Sequence, residues 1–398
     1  MGVGVSTELQ TSGLSDYRND AFSFWKLPEA WRGALGSRLA SSEATAEWYL
    51  LEKYANNEAN SALLLTAYYA LRQVIPARMR HFINSAVMRI RGRPSFPRWP
   101  QEDSLLLYWR DWLRASLSAL GVSDGWHVGF WPEDAKCCTV LTHDIESPAG
   151  FALMRAMADI EYKYGFRSAW NIPLAQYHID WDQVEELRAE GFEFGAHGLA
   201  HDGKLFRSYT HFSTLAPQLE SLALEHNLRG FRSPSTLRSV DWISTMNFDF
   251  DSTFADTDPY EVQPGGTCSV FPFFLRGMIE LPYTLPQDHT LMNVLHMDPL
   301  PMWREKLRWI TSVGGMILTL VHPDYCGTSS HLHKYEELLK ELRDLDSSWR
   351  ALPSQVAAWW RRRSQLRLAV TGEHPIINGP DTTGAVARRL SSEPILNY

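Results

Sequence analysis

Beyond residue 136 the chain alternates short apolar runs with longer stretches in which apolar positions recur at helical spacing. The strand-like runs fall at 138–142, 167–172, 192–196, 230–232, 248–252, 278–281 and 315–321. Between them lie amphipathic segments at 151–164, 181–189, 213–226, 302–312 and 331–345, each long enough for a helix that buries one face. Strands that alternate with crossover helices run parallel, so the pattern predicts a doubly wound sheet or a barrel. Polar and ionisable residues crowd the ends of the strand runs, the edge on which α/β barrels build their sites.

The flanks read differently. Residues 1–60 begin polar and become helix-like over 41–56. From 59 to 101 there is no Asp or Glu, while Arg72, Arg78, Arg80, Arg89, Arg91, Arg93 and Arg98 accumulate. Met79, Phe82, Ile83, Ala86, Val87 and Ile90 share one face there, which predicts a basic amphipathic helix within 72–93. Such a helix either packs on the main domain with its arginines in water or lies on an anionic membrane surface. Pro94, Pro97 and Pro100 mark the connector that follows. At the far end a helical pattern over 355–363 closes on Arg361, Arg362 and Arg363, a run expected in solvent, and the tail has no strong period. The expected organisation is an N-terminal polar and helical extension (1–60), a basic helix with its Pro-rich connector (61–135), a barrel domain (136–364) and a C-terminal tail (365–398).

Composition narrows the classes. With 398 residues, 44% hydrophobic and 21% charged, the chain has the make-up of an ordinary globular protein. A net charge of −8 argues against a general nucleic-acid binder. Cys137, Cys138, Cys268 and Cys326 lack zinc-ribbon spacing, which favours a reducing compartment. The first residues hold no apolar run behind a basic start, and the apolar run at 62–71 is short of the roughly 20 residues that span a bilayer. A cytoplasmic location, in one reading at the inner face of the membrane, is expected.

Two stretches carry the chemistry. Thr142-His143-Asp144-Ile145-Glu146 ends one strand run with two carboxylates, and Gly195-Ala196-His197-Gly198-Leu199-Ala200-His201 follows another with two imidazoles. At i and i+4, the rings of His197 and His201 point the same way if the turn is helical. Neutral imidazoles and a carboxylate are the ligands of a divalent ion at a catalytic site that keeps a position open for water. Residues two apart in a strand share a face, so Asp144 and Glu146 can both enter that site. The carboxylate that does not bind the ion is then available as a general base. Zinc suits this ligand set, and so do cobalt, nickel and iron.

With these residues in view, the span from about 139 to 323 resembles the polysaccharide deacetylase family, also called the NodB-homology or carbohydrate esterase 4 group. Five blocks match in order: Thr142 to Glu146; His197 with His201; Gly230-Phe231-Arg232-Ser233-Pro234; Asp249-Phe250-Asp251-Ser252-Thr253; and Ile317 to Val321 followed by His322-Pro323. The resemblance implies a distorted (β/α)7 barrel, here with an added N-terminal helical region. It also implies removal of an acetyl group from an N-acetylated sugar or glycan precursor with one divalent metal ion. By the same resemblance Asp144 is the general base, Glu146, His197 and His201 hold the metal, and His322 is the general acid. Arg232 would orient Asp144, and Asp251 would fix the tautomer and rotation of His322. A carbohydrate or lipid-linked sugar is the substrate this points to, with the basic segment offering peripheral membrane contact.

The chain departs from the family pattern in two places. Ile145 stands where a second Asp is usual, and the carboxylate has moved to Glu146, so an inverted assignment with Asp144 as ligand and Glu146 as base stays open. Ser235 replaces an aromatic groove wall, which predicts a shallower substrate pocket. Trp170 and Asn171, at a strand end, either meet a sugar ring or pack within the barrel. The block 281–289 resembles a segment of deacetylase-like proteins encoded with surface-glycan genes and is read as cleft lining. Two rival functions remain: a hydrolase of non-sugar amides, imides or formyl groups on the same fold, and a catalytically silent glycan-binding module.

Overall fold

The computed structural model describes residues 18–55, 95–327 and 329–391. Helices Ala21–Trp25 (α1), Arg32–Leu50 (α2) and Ser104–Leu120 (α3) lead to a first strand, Asp124–Val128 (β1). The next strand, Cys137–Asp144 (β2), is buried along its whole length. That is the state of a parallel strand covered on both faces, and it explains why its sequence reads as a continuous apolar run. Around it stand Ser168–Ile172 (β3), Glu193–Ala196 (β4), Gly230–Phe231 (β5), Phe250–Asp251 (β6), Phe273–Leu275 (β7), Met278–Glu280 (β8), Met316–Val321 (β9) and Ser348–Arg350 (β10).

These nine strands form one curled sheet. Seven run parallel in the order β9, β2, β3, β4, β5, β6, β8. β10 pairs parallel with the start of β2, and β7 folds back antiparallel onto β8. The chain beyond β8 returns to β9, where the amides of Thr284 and Leu285 both donate to the Leu318 carbonyl and close the circuit. The expected distorted (β/α)7 barrel is therefore present. Its outer helices are Pro148–Lys163 (α4), Trp181–Ala189 (α5), Tyr209–Glu225 (α6), Pro299–Ser312 (α7), Ser329–Arg343 (α8) and Pro353–Gln365 (α9). Their starts are set locally: Ser147, Asp180 and Ser208 cap α4, α5 and α6, and Pro148, Pro299 and Pro353 sit in first turns, where a missing N–H costs nothing.

The flanks correct the sequence reading. The stretch after 365 contains three strands, Arg367–Thr371 (β11), His374–Asn378 (β12) and Ala387–Ser391 (β13), and β13 pairs antiparallel with β1. These are short and largely exposed, so they lack the apolar runs that announce a barrel strand. Nor is the arginine run at the end of α9 solvated throughout. Arg363 is buried, its Nε donates to the Gly129 carbonyl, and its Nη2 donates to the carbonyls of Phe24 and Val128. One guanidinium thus ties α1 and the end of β1 to α9, which a composition-based reading of three consecutive arginines cannot reveal. The four cysteines are free and buried. The basic segment at 72–93 lies outside the described residues. Among the described residues no helix is long and apolar enough to cross a membrane.

His127 on β1 is fully buried, and neither ring nitrogen finds a hydrogen-bond partner. Burial, with Arg363 and Arg388 adding to it, pushes its imidazolium down to about 3. The folded state therefore binds fewer protons here than the unfolded chain does between that value and the ordinary 6.5. Stability is complete above the upper figure and falls as pH drops through the window. His127→Phe is expected to flatten this acid limb, read as the difference in Tm between about pH 4 and about pH 8. Equal pH slopes in wild type and variant would show that His127 has another way to take up its proton.

Candidate active site

The C-terminal ends of β2, β5 and β6 meet at Arg232, which is completely buried. Its Nε donates to the Ser252 carbonyl at 2.6 Å, Nη2 to Ser252 Oγ at 2.5 Å, and Nη1 to Thr142 Oγ1 at 2.8 Å and Asp144 Oδ1 at 3.1 Å. Asn171 Nδ2 also donates to Asp144 Oδ1, at 2.8 Å. Gly195 on β4 makes room for that amide, since a Cβ there would lie 2.4 Å from Asn171 Oδ1. Burial alone would favour the neutral acid at Asp144. The guanidinium of Arg232, with His197, His322 and the Asn171 bond behind it, overrides this and holds the carboxyl at about 2.

His197 and His201 follow β4 in an open loop rather than a helical turn. The reason is Gly198, whose φ of +76° is left-handed and against which the ring of Pro234 packs. The two rings still converge, with centroids 5.3 Å apart. His197 Nδ1 donates to the Arg232 carbonyl at 3.0 Å, which fixes the tautomer and leaves the Nε2 lone pair 3.8 Å from Asp144 Oδ2. Burial, assisted by His201, lowers the His197 imidazolium to about 4, so the ring is neutral near pH 7. His201 Nε2 lies 3.2 Å from Glu146 Oε1, and the Tyr325 hydroxyl donates to Glu146 Oε2 at 3.1 Å. Burial opposes the charge on Glu146, yet His201, His322 and His289 together hold its carboxyl well below the ordinary range. Asp144 and Glu146 do share a face of the β2 end, as their two-residue spacing predicts.

His322, just past β9, is buried with its Nδ1 2.8 Å from Asp288 Oδ1. The other oxygen of Asp288 accepts the His322 backbone N–H at 2.9 Å. Burial disfavours the imidazolium, but Asp288, reinforced by Glu146 and Asp144, raises it to about 10. Asp288 therefore occupies the position expected of Asp251. Asp251 instead stands in register with Glu280 on β8 and accepts from Thr253 Oγ1 at 2.6 Å. Burial raises both of these carboxyls, Glu280 further because Asp251 faces it, so the pair retains a proton. Asp251 is excluded as the His322 partner because its side chain is spent on β8. The block 281–289 contains the true partner, but a loop aspartate gives no periodicity by which to place it.

Trp170 is also corrected. It is fully buried, stacked on the His143 ring at 4.1 Å, and so faces away from the cleft. Its neighbour Asn171 turns to Asp144. Ser235 is partly exposed in a tight turn with φ of 54°. Beside it, Thr236 Oγ1 donates to Glu261 Oε2 at 3.1 Å, and Gln287 Nε2 donates to Glu261 Oε1 at 2.6 Å. Burial, with Asp258 adding to it, pushes the Glu261 carboxyl up to about 7.

Two imidazoles and two carboxylates thus face one another in the pairs His197–Asp144 and His201–Glu146. A neutral imidazole such as His197, its remote nitrogen already engaged by the Arg232 carbonyl, is the donor chemistry a divalent ion takes. Among the described residues no three His, Cys, Asp or Glu side chains converge as a finished cage. The donor set fits the ion in kind, and its pairs stand slightly apart.

No family model matches the sequence, and no curated protein matches it. Among solved structures the chain is similar to a Mycobacterium smegmatis protein assigned as a polysaccharide deacetylase, with a TM-score of 0.50, 16% identity, and coverage of 61% of this chain and 96% of that one. It is also similar to a protein from Pseudomonas aeruginosa PAO1 with the same assignment, at a TM-score of 0.47 and 13% identity over 58% of this chain and 93% of that one. A third match is Puue allantoinase, at 0.46 and 11% over 58% and 92%. The barrel of this chain therefore has the fold seen in the Mycobacterium smegmatis polysaccharide deacetylase structure.

Proposed function

We propose that this chain is a metal-dependent hydrolase of non-peptide carbon–nitrogen bonds that removes an acetyl group from an N-acetylated sugar or glycan precursor. The observation that carries this reading is a pair of oppositely poised groups around one donor set: Asp144, kept ionised by Arg232, and His322, kept protonated by Asp288. A divalent ion held by Glu146, His197 and His201 would polarise the amide carbonyl and acidify a water. Asp144 accepts the proton of the attacking water at Oδ2, because Oδ1 is taken by Arg232 and Asn171. The amine leaves only once protonated, and His322 donates from Nε2, because Nδ1 is committed to Asp288. His197 keeps its ligand tautomer through the Arg232 carbonyl.

The same chemistry on a non-sugar amide, imide or formyl group is the second reading. It is favoured by the Ser235 turn, which offers no aromatic wall for a pyranose ring. The acid-free, arginine-rich segment at 72–93 supports a lipid-linked substrate at an anionic membrane face.

Elemental analysis of the purified protein is expected to find about one equivalent of a divalent metal, lost in His197→Ala and in Glu146→Gln. Metal kept in Glu146→Gln but lost in Asp144→Asn would reverse the roles of the two carboxylates. Against a panel of N-acetylglucosamine oligomers and simple N-acylated amines, Asp144→Asn should lower kcat roughly 100-fold or more with its metal retained. An unchanged rate removes Asp144 as base, and turnover of the simple amides alone selects the second reading. Asp288→Asn takes away the charge that raises His322. Activity requires the protonated ring and is lost as pH rises through its pKa, so the alkaline limb of the kcat profile should move to lower pH. An alkaline limb that stays in place would exclude His322 as the acid.

A further inference from the structure

The two halves of the donor set are held by different means. His197 and Asp144 stand on the sheet: the His197 backbone N–H donates to the Ile172 carbonyl at 2.8 Å, and Asp144 is in register with Asn171 on β3. Glu146 and His201 lie past it. β2 ends at Asp144 and β4 at Ala196, and residues 197–200, with left-handed Gly198 among them, separate His201 from its strand. The 3.2 Å approach of His201 Nε2 to Glu146 Oε1 is thus made beyond the reach of the strand ladder.

The loop after β3 supplies what the ladder does not. The amides of Leu174 and Ala175 donate to the carbonyls of Gly198 and Leu199 at 3.0 and 2.7 Å, which brings the histidine loop alongside. Gln176, next in sequence, then bridges the pair: its Nε2 donates to the Glu146 carbonyl at 2.7 Å, and its Oε1 accepts the His201 backbone N–H. Each end needs its own kind of atom, a donor for the carbonyl and an acceptor for the N–H, and a side-chain amide carries both. A carboxylate there would set lone pairs against the Glu146 carbonyl, and an ammonium would face the His201 N–H. From the opposite side Asp324 Oδ2 accepts the Glu146 N–H at 2.8 Å, so the Glu146 backbone is gripped by one side chain at its N–H and another at its carbonyl.

On the metal-dependent reading above, we infer that Gln176 is a positioning residue for the metal: one side-chain amide fixes the separation of two of the three proposed ligands through their backbones. Without it Glu146 and His201 are joined through loops, and the ion itself has to order them on binding. Outer contacts that orient ligands in this way are worth about ten- to a hundredfold in metal affinity.

Cobalt(II) is the probe, added as the chloride to the metal-free full chain and followed by its visible ligand-field bands, which report ligand geometry without any turnover. Wild type is expected to saturate near about one equivalent. Gln176→Met keeps the length of the side chain and loses both bonds, so it should bind roughly ten- to a hundredfold more weakly, with displaced bands. The melting temperature of the metal-free protein should not change, because the Gln176 side chain is exposed. Gln176→Asn, an amide on a shorter arm, should recover part of the affinity. The inference fails if Gln176→Met binds cobalt as tightly as wild type with the same bands, or if the variant lowers only the melting temperature of the metal-free protein. Wild type that takes up no cobalt would remove the metal-dependent reading and this role with it, whereas cobalt bound equally by wild type and Gln176→Met removes this role alone.

Discussion

A single buried guanidinium decides which groups around it can carry charge. Arg232 spends its three nitrogens on Thr142 and Asp144 of β2 and on Ser252 beyond β6, and its own carbonyl fixes the tautomer of His197. Removing one partner from a buried ion pair costs about 3–5 kcal/mol, because the survivor is left unpaired without water. Arg232 and Asp144 are therefore bound to each other's presence. The ionised state of Asp144 is a property of the barrel rather than of solvent pH near neutrality. Because the guanidinium also bridges strands, the integrity of the site and that of the barrel end are one requirement.

The barrel strands and their helices were legible because both are periodic. Runs covered on two faces stay apolar without interruption, and one-faced helices repeat at their own period, so the seven barrel strands from β9 round to β8 and the helices between them stood out, while the short, partly exposed β10, also parallel, did not. Asp144 and Glu146 were legible for the same reason, since their spacing follows the strand repeat. His197 and His201 were found by residue type and spacing, yet their convergence comes from a left-handed glycine rather than the helical turn that spacing suggests. What escaped were parts set by loops and by partners far away in sequence. Asp288 reaches His322 across 34 residues, and Arg363 reaches Phe24 across 339. The strands after 365 escaped because a half-exposed edge pair needs no apolar run.

Two buried carboxyls lie close to the barrel mouth and do different work, and the strand register explains the difference. Asp251 and Glu280 are paired across β6 and β8, so each side chain meets another acid. Such a pair lowers its cost by holding a proton between the two groups, and it then presents little net field to a neighbour. Asp288 comes from the loop beyond β8, where no parallel strand supplies a second carboxyl, and it can give its full charge to one imidazole. Asp251 on β6 is thus quenched by Glu280 on β8, whereas Asp288 in its loop can hold His322 protonated. His322 keeps its proton because the fold places Asp251 and Asp288 on different kinds of backbone.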